Sequence, residues 1–142
     1  MFHLQLISAN DIYKKNCTTT AQIIPKMNFR ENYFEYAETE KVKNDSSPRY
    51  DQSFLVPFYC FDSIQIIFWK PKLFDKVSIA SADIQLTVDQ FLKPQPITVP
   101  VKLYEPFNNA IPSLTYSLSY LPIQQVPAIN VSNPENIFAY LT

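Results

Sequence analysis

Residues 63–69 read Ser-Ile-Gln-Ile-Ile-Phe-Trp, and their pattern is the clearest indication of the fold class. In an extended chain, successive side chains point to opposite faces. One face carries Ile64, Ile66 and Phe68, and the other carries Gln65, Ile67 and Trp69. Because apolar side chains occur on both faces, we predict a β-strand that is central in its sheet and covered on both sides.

The same alternation recurs along the chain between turn clusters rich in Pro, Asn, Asp and Ser. Helical periodicity is scarce, and only residues 87–92 are interpreted as one helical turn. Since two amphipathic sheets bury their apolar faces against each other, the sequence predicts an all-β fold, an eight-stranded antiparallel β-sandwich. Pro57 places the end of the fourth strand at a sheet edge or a bulge. The predicted strands are residues 2–8, 21–27, 33–42, 52–58, 63–69, 77–86, 97–104 and 113–121.

The domain organisation follows from length and from the end of the alternation. The chain of 142 residues has the size of one ordinary domain. After Pro122 the alternation stops and prolines recur. Residues 1–122 are therefore predicted to form the domain, and residues 123–142 a proline-containing tail.

The composition excludes several classes of function. Charged residues make up 18% of the chain with a net charge of −1, so it lacks the basic excess of a nucleic-acid-binding protein. Aromatic residues make up 15%, which is not typical of a disordered chain. The chain has no glycine, and phosphate-binding loops, dinucleotide fingerprints and nucleophile elbows all need glycine in their standard form.

The sequence also predicts a cytoplasmic location. Residues 1–8 alternate polar and apolar side chains and lack the continuous apolar segment of a signal peptide. No stretch approaches the roughly 18 apolar residues of a membrane span. Cys17 and Cys60 form no close pair, so we expect reduced thiols, with a single disulfide between them as the alternative.

The order of motifs over residues 1–122 resembles that of a C2 domain. Residues 2–12 are similar to the family's first strand, and residues 48–54 resemble its turn of proline, aromatic residue and phenylalanine. Residues 64–69 stand where the family has the central strand that leads into its third top loop. Residues 79–86, with Ala80 in place of a glycine, and residues 114–122 match the next strand and the closing strand. The resemblance implies an eight-stranded antiparallel sandwich with loops at one end.

In many members of the family, aspartates of the first and third loops bind calcium, which needs six to eight oxygen ligands. Here the corresponding third-loop positions are Lys70 and Lys72, and Asp75 is the only carboxylate in that loop. No Asp or Glu lies between Asp11 and Glu31. Two lysines repel a cation. The resemblance therefore implies a degenerate, calcium-independent member with no calcium at the family site, and we predict no other cofactor.

The substituted third loop is the first candidate binding site. Its basic residues flank Leu73 and Phe74, a pattern that suits an anionic membrane surface. The alternative is that the lysines are solvated and that Leu73 or Phe74 packs on the core. The candidate anionic-lipid loop consists of Lys70, Lys72, Phe74 and Lys76, with Lys14 and Lys15 from the first loop.

A second basic cluster is a candidate groove for phosphoinositide headgroups, as some family members have. Lys41 and Lys43 are two residues apart, so on a strand they project to one face, with Lys26 and Arg49 as further members. The alternative is a set of cross-strand ion pairs, because Glu35, Glu38 and Glu40 come directly before the lysines.

Catalysis is not expected. His3 is the only histidine, and the sequence offers neither a nucleophile with its base nor a zinc-ligand set. Open strand edges and the aromatic residues Tyr33, Phe34, Tyr36, Phe138 and Tyr140 are typical of a protein-binding surface. The sequence therefore predicts a non-catalytic, calcium-independent interaction module in protein–protein scaffolding, with a protein partner and no nucleic acid. Peripheral attachment to an anionic membrane is the alternative.

Overall fold

The computed structural model describes residues 2–26, 37–56, 63–87, 89–90 and 94–120. In this part of the chain nine β-strands form two antiparallel sheets, which confirms the predicted all-β sandwich. The strands are β1 (Phe2–Asn10), β2 (Thr20–Lys26), β3 (Ala37–Glu38), β4 (Arg49–Val56), β5 (Ser63–Lys72), β6 (Asp75–Gln85), β7 (Ile97–Pro100), β8 (Lys102–Leu103) and β9 (Ser113–Tyr120).

The first sheet has the strand order β4-β1-β9-β7, and the second has the order β3-β2-β5-β6-β8. Strand β4 lies at the edge of the first sheet, and Pro57, which is predicted to lie at a sheet edge or a bulge, is outside the described residues. The prediction of one strand over residues 97–104 is wrong, because the chain changes sheets at Val101. Strand β7 pairs with β9, whereas β8 pairs with β6. Inward and outward side chains alternate on both sides of this change, because both sheets face the same core.

Strand β5 is central in the second sheet, between β2 and β6, as predicted. Ile64, Ile66 and Phe68 on its inner face are fully buried. The residues that the structure describes cover the outer face less completely than the inner face, because Ile67 and Trp69 are half-buried. They lie on the outer face of the sandwich, where Trp69 Nε1 donates a hydrogen bond of 2.8 Å to Gln22 Oε1.

One buried polar contact joins the two sheets. The hydroxyl of Tyr50, on β4, lies 2.7 Å from the hydroxyl of Thr19, which immediately precedes β2 in the other sheet. Both residues are buried, and the Tyr50 ring stacks on Phe68 with 6.2 Å between ring centroids. Burial raises the pKa of Tyr50 far above its ordinary value, more than the hydrogen bond from Thr19 lowers it.

Turns are built without glycine. Four of the described residues with positive φ are Asp or Asn, the non-glycine types that adopt this conformation most readily. They are Asp11, Asn44, Asp51 and Asn109, and the fifth is Phe74, with φ of 64°. A bulky aromatic residue in this region is a strained exception.

Several sequence predictions fall partly or wholly outside the described residues. Of the predicted strand 33–42, the described part contains β3 and an isolated bridge between Thr19 and Val42. At residues 87–92, Gln90 N donates to Thr87 O at 3.2 Å, and residues 88 and 91–93 are not described. Cys60, the aromatic residues at 33, 34 and 36, and the tail, with Phe138 and Tyr140, also lie outside. The boundary at residue 122 stays a prediction.

The contact between Tyr50 and Thr19 should contribute measurably to the free energy of unfolding. We expect Tyr50→Phe to lower the free energy of unfolding by about 1–2 kcal/mol, because the buried Thr19 hydroxyl loses its partner. Urea denaturation measures the change. The matched control is Tyr104→Phe on the exposed surface, for which the change should be near zero. Equal effects of the two substitutions would contradict the role given to the contact.

The same tyrosine predicts a loss of stability at alkaline pH. In the unfolded chain Tyr50 ionises near pH 10, whereas in the native state its raised pKa keeps it protonated. Because the native state then binds the extra proton, stability is complete below pH 10 and falls as the pH rises further. Tyr50→Phe should make this alkaline fall shallower, and an unchanged slope in denaturation series at pH 9 to 11 would argue against it.

Candidate functional site

Four connections meet at one end of the sandwich. The β1–β2 connection contacts the β3–β4 connection through Ile12 N, which donates to Ser46 O at 3.0 Å. It contacts the β8–β9 connection through the ion pair between Lys14 and Glu105, at 3.3 Å. It contacts the β5–β6 hairpin through Tyr13, whose ring centroid lies 4.9 Å from Lys70 Nζ. We call this end, residues 11–19, 39–48, 70–77 and 104–112, the apical surface.

A closed ring of hydrogen bonds fixes three of these connections. Asp11 N donates to Ser47 Oγ at 3.0 Å, and Ser47 Oγ donates to Asn10 Oδ1 at 3.1 Å. Asn10 Nδ2 donates to Ile111 O at 2.9 Å, and Ile111 N donates to Asp11 Oδ2 at 3.0 Å. Polar side chains therefore hold the backbone of the apical surface. Each residue of the ring makes two hydrogen bonds, one to each of its neighbours in the ring.

The predicted third loop is in fact a hairpin, so its description as a loop is wrong. Lys70 and Lys72 belong to β5, Lys76 belongs to β6, and the ladder continues as far as the pair Lys72 and Asp75. Beyond Trp69, strand β5 has lost β2 as a neighbour, and before Ile79, strand β6 has no pairing with β8. Residues 70–77 therefore form a two-stranded ribbon, the apical ribbon.

A β-bulge separates the apical ribbon from the sandwich. The register of β5 and β6 shifts between Phe68 and Trp69, where Ile79 is the extra residue on β6. A bulge bends the strand and increases its twist. From Trp69 to Leu73 the ribbon extends for four residues, or about 13 Å at the usual rise of a strand.

The tip of the ribbon is Leu73 and Phe74, whose exposed fractions are 82% and 98%. The alternative that one of them packs on the core is wrong, because the turn lies too far beyond the last core residue, Phe68. The exposed large apolar side chains of the described ranges all lie on the apical surface, the other two being Tyr104 and Ile111. Exposed apolar area is thus collected at one end of the molecule, which is typical of a binding surface.

The lysines of the candidate anionic-lipid loop surround the ribbon in different environments. Lys70 and Lys14 both lie over the Tyr13 ring, at 4.9 and 5.9 Å from its centroid. Lys76 lies 4.7 Å from the Trp69 ring centroid and 3.4 Å from a carboxylate oxygen of Glu38. Lys15 and Lys72 are exposed and form no ion pair with a carboxylate of the described residues.

The four residues of the predicted basic groove are not brought together. Lys26 pairs with Ser63 at the far end of β2, about 20 Å from Thr20 at the usual strand rise. Arg49 lies on β4 in the other sheet, where it forms an ion pair of 2.7 Å with Asp51. Lys41 and Lys43 belong to the apical connection 39–48 and not to a regular strand. The grouping fails because strand pairing, which a local charge pattern does not reveal, separates its members.

A cleft of about 800 Å³ lies between the apical ribbon and the segments 18–20 and 38–41. Lys41 of the predicted basic groove lines this cleft together with Lys70 and Lys76 of the candidate anionic-lipid loop. Glu38, Glu40 and Asp75 balance these charges, and Trp69 and Phe74 supply aromatic surface. Sequence reasoning missed that residues 18–20 line the cleft, for which their run of threonines was the available signal.

Cys17 lies near the same surface. Burial raises the pKa of its thiol, more than the nearby charges of Lys70 and Lys15 lower it. The thiol is therefore neutral at physiological pH and is a poor nucleophile.

Comparison with solved structures identifies the fold. A C2 domain of plant extended synaptotagmin 1 superposes with a TM-score of 0.61 at 12% identity, over 85% of this chain and 93% of that domain. A further C2 domain gives 0.55 at 9% identity, over 83% and 95% of the two chains. The chain has a C2-like fold.

The C2-like domain also superposes on a structure of CC2D1B, with a TM-score of 0.58 at 11% identity. CC2D1B is a protein that acts during the mitotic reformation of the nuclear envelope. The match covers 82% of this chain, which spans about half the length of that one. No family model matches the sequence, and no curated protein does. In the described part of the C2-like domain, no helix is both long and apolar enough to cross a membrane.

Two carboxylates of the apical surface bind backbone amides. Asp11 accepts a hydrogen bond from Ile111 N, and Asp45 Oδ1 accepts one of 2.8 Å from Ser47 N. Among the described residues, no group of three or more His, Cys, Asp or Glu side chains converges as metal ligands do. These loop carboxylates serve to hold backbone amides.

The strain at Phe74 predicts a gain in stability when that residue is replaced. We expect Phe74→Asn to raise the free energy of unfolding by about 0.5–1 kcal/mol, because asparagine tolerates positive φ better than phenylalanine. The matched control is Leu73→Asn at the neighbouring tip position, where positive φ is not required. Urea denaturation of both variants gives the comparison, and a gain no larger for Phe74→Asn than for the control would contradict the strain.

Proposed function

We propose that this C2-like domain is a non-catalytic, calcium-independent module that docks its apical surface on the anionic, cytoplasmic face of a membrane. The observation that carries the proposal is the Leu73–Phe74 tip, exposed on the apical ribbon with lysines behind it. An aromatic residue presented at the end of a protruding hairpin can enter the headgroup layer while the sandwich stays in water.

The magnitudes support weak, reversible docking. Full burial of a large apolar side chain contributes about 1.5–3 kcal/mol. Each lysine near an anionic surface adds about 1 kcal/mol, an attraction that is screened by salt. Lys72, next to the tip in β5 and without a described carboxylate partner, is placed best for this role.

The strained backbone at Phe74 supports the same function. An asparagine or aspartate stands at the other described positions with positive φ, whereas the tip has phenylalanine. Strain that costs stability is retained at functional sites when the side chain itself is needed. The aromatic ring at this position is therefore attributed to binding, since it makes no contribution to the core.

Docking can be tested with vesicles of phosphatidylcholine and phosphatidylserine in the presence of a calcium chelator. We expect the wild-type protein to co-sediment with these vesicles and not with pure phosphatidylcholine. The double variant Leu73→Asn/Phe74→Asn should bind at least tenfold more weakly, because two apolar side chains no longer enter the bilayer. Wild-type protein that stays in the supernatant, or that binds only when calcium is added, would refute the proposal.

The charge contribution has a matched pair of variants. Lys72→Gln should weaken binding severalfold at low salt, whereas Lys26→Gln, at the opposite end of the domain, should leave it unchanged. Equal losses from the two variants would mean that net charge, and not the apical surface, determines binding.

Protein–protein scaffolding is the second candidate function, and an open strand edge favours it. On β6, Ile79 O accepts a hydrogen bond from Tyr104 N, and Ser81 pairs with Lys102 of β8. By the same alternation the backbone groups of Asp83 and Gln85 point to this edge, where no described strand pairs with them. Such an edge can accept an extended segment of another protein.

Gln85→Pro tests this edge, because proline removes an outward N–H without taking a bond from the ladder with β5. A protein partner recovered with the wild-type domain should be lost with Gln85→Pro, and it should be retained with Gln85→Ala and with the double tip variant. A partner retained by all three variants binds elsewhere, which would exclude this edge.

A further inference from the structure

Ile111 combines an exposed apolar side chain with a fixed backbone. Its side chain is 74% exposed. Its N–H is bound to Asp11 Oδ2 at 3.0 Å, and its carbonyl oxygen is bound to Asn10 Nδ2 at 2.9 Å. The following residue, Pro112, accepts a hydrogen bond of 3.1 Å from Val101 N. The structure thus holds this side chain in solvent at a defined place.

A single exposed isoleucine needs no special explanation in most proteins. The exposure of Ile111 is notable because of its position on the apical surface. Ile111 and the Leu73–Phe74 tip belong to connections that flank the β1–β2 connection on either side. The links between them are Lys70 over the Tyr13 ring, Lys14 over the same ring, and the ion pair of Lys14 with Glu105.

The lysines between the two apolar points complete the pattern. Lys14 and Lys15 belong to the connection that separates Ile111 from the apical ribbon, and both are exposed. This connection contacts both the ribbon, through Tyr13 and Lys70, and the β8–β9 connection, through Lys14 and Glu105, so a bilayer docked on the apical surface can meet these ammonium groups. A protein partner need not be flat, so the separation of two apolar points around a basic strip favours a bilayer.

We propose that Ile111 is a second membrane contact, which acts with the Leu73–Phe74 tip to fix the orientation of the domain on an anionic bilayer. This inference rests on the proposed function of the apical surface. One tip alone leaves the domain free to rotate about the ribbon. Two separate contact points, one on the ribbon and one on the hydrogen-bonded ring of Asn10, Asp11 and Ser47, remove that freedom and place the cleft beside the ribbon in a constant relation to the headgroups.

Binding to phosphatidylserine-containing vesicles, again with a calcium chelator, tests this contact. We expect Ile111→Asn to bind about tenfold more weakly than wild type, a change of about 1.4 kcal/mol. Ile111→Leu should bind as wild type does, because it keeps the apolar side chain. The melting temperatures of both variants should match that of wild type, since the side chain is exposed in the free protein.

Tryptophan insertion gives a readout of contact that affinity alone does not give. The emission of Ile111→Trp should shift to the blue on vesicle binding and be quenched by brominated lipid, relative to wild type with its native Trp69. Gln85→Trp, exposed at the opposite end of β6, is the control and should show neither change.

The outcomes separate the two proposals. Wild-type binding that is lost in the double tip variant but unchanged in Ile111→Asn overturns the second contact and leaves the proposed function standing. An Ile111→Trp protein that binds without a spectral change overturns it as well. Absence of vesicle binding by the wild-type protein overturns both.

Discussion

The ladder between β5 and β6 is the interaction on which both the core and the candidate site depend. Its first half, from Ser63 with Gln85 to Phe68 with Ala80, places Ile64, Ile66 and Phe68 in the core. Its second half, beyond the bulge at Trp69, has no core to cover and forms the apical ribbon. The same pairing that stabilises the sandwich therefore also extends into solvent and exposes the tip. A shift of one residue in this register would exchange the two faces of β5 and destroy both.

Without glycine, the apical end is ordered by polar side chains. Asp11, Asn44 and Asn109 occupy positions with positive φ in its connections, and Asn10, Asp11 and Ser47 close the hydrogen-bonded ring that holds Ile111. Below them the buried hydroxyl pair of Tyr50 and Thr19 joins the sheets. The neutral and charged side chains of the ring bind backbone groups of neighbouring connections directly.

The sequence predicted the parts of this structure that depend on local alternation, and it failed where partner strands decide. Residues 63–69 show their strand character without any neighbour, and so do residues 113–121. The change of sheets at Val101 was not predicted, because inward and outward residues alternate in the same way before and after it. Lys70, Lys72 and Lys76 lie on one two-stranded ribbon, which the sequence predicts as a loop because a Lys-Pro-Lys run resembles a connection. Lys26 and Arg49 were grouped with Lys41 because nothing local shows that they lie on different strands of different sheets.

The electrostatics of the apical surface limit the kind of docking it can support. The cleft is lined by Lys41, Lys70 and Lys76 together with Glu38, Glu40 and Asp75, and the whole chain carries a net charge of −1. Long-range attraction to an anionic surface is therefore weak, and screening reduces it further over about 8 Å at physiological ionic strength. Recognition must depend on contacts at short range, which is where an exposed apolar tip is effective. The ribbon meets this requirement because it presents Leu73 and Phe74 at its tip, where both side chains are exposed.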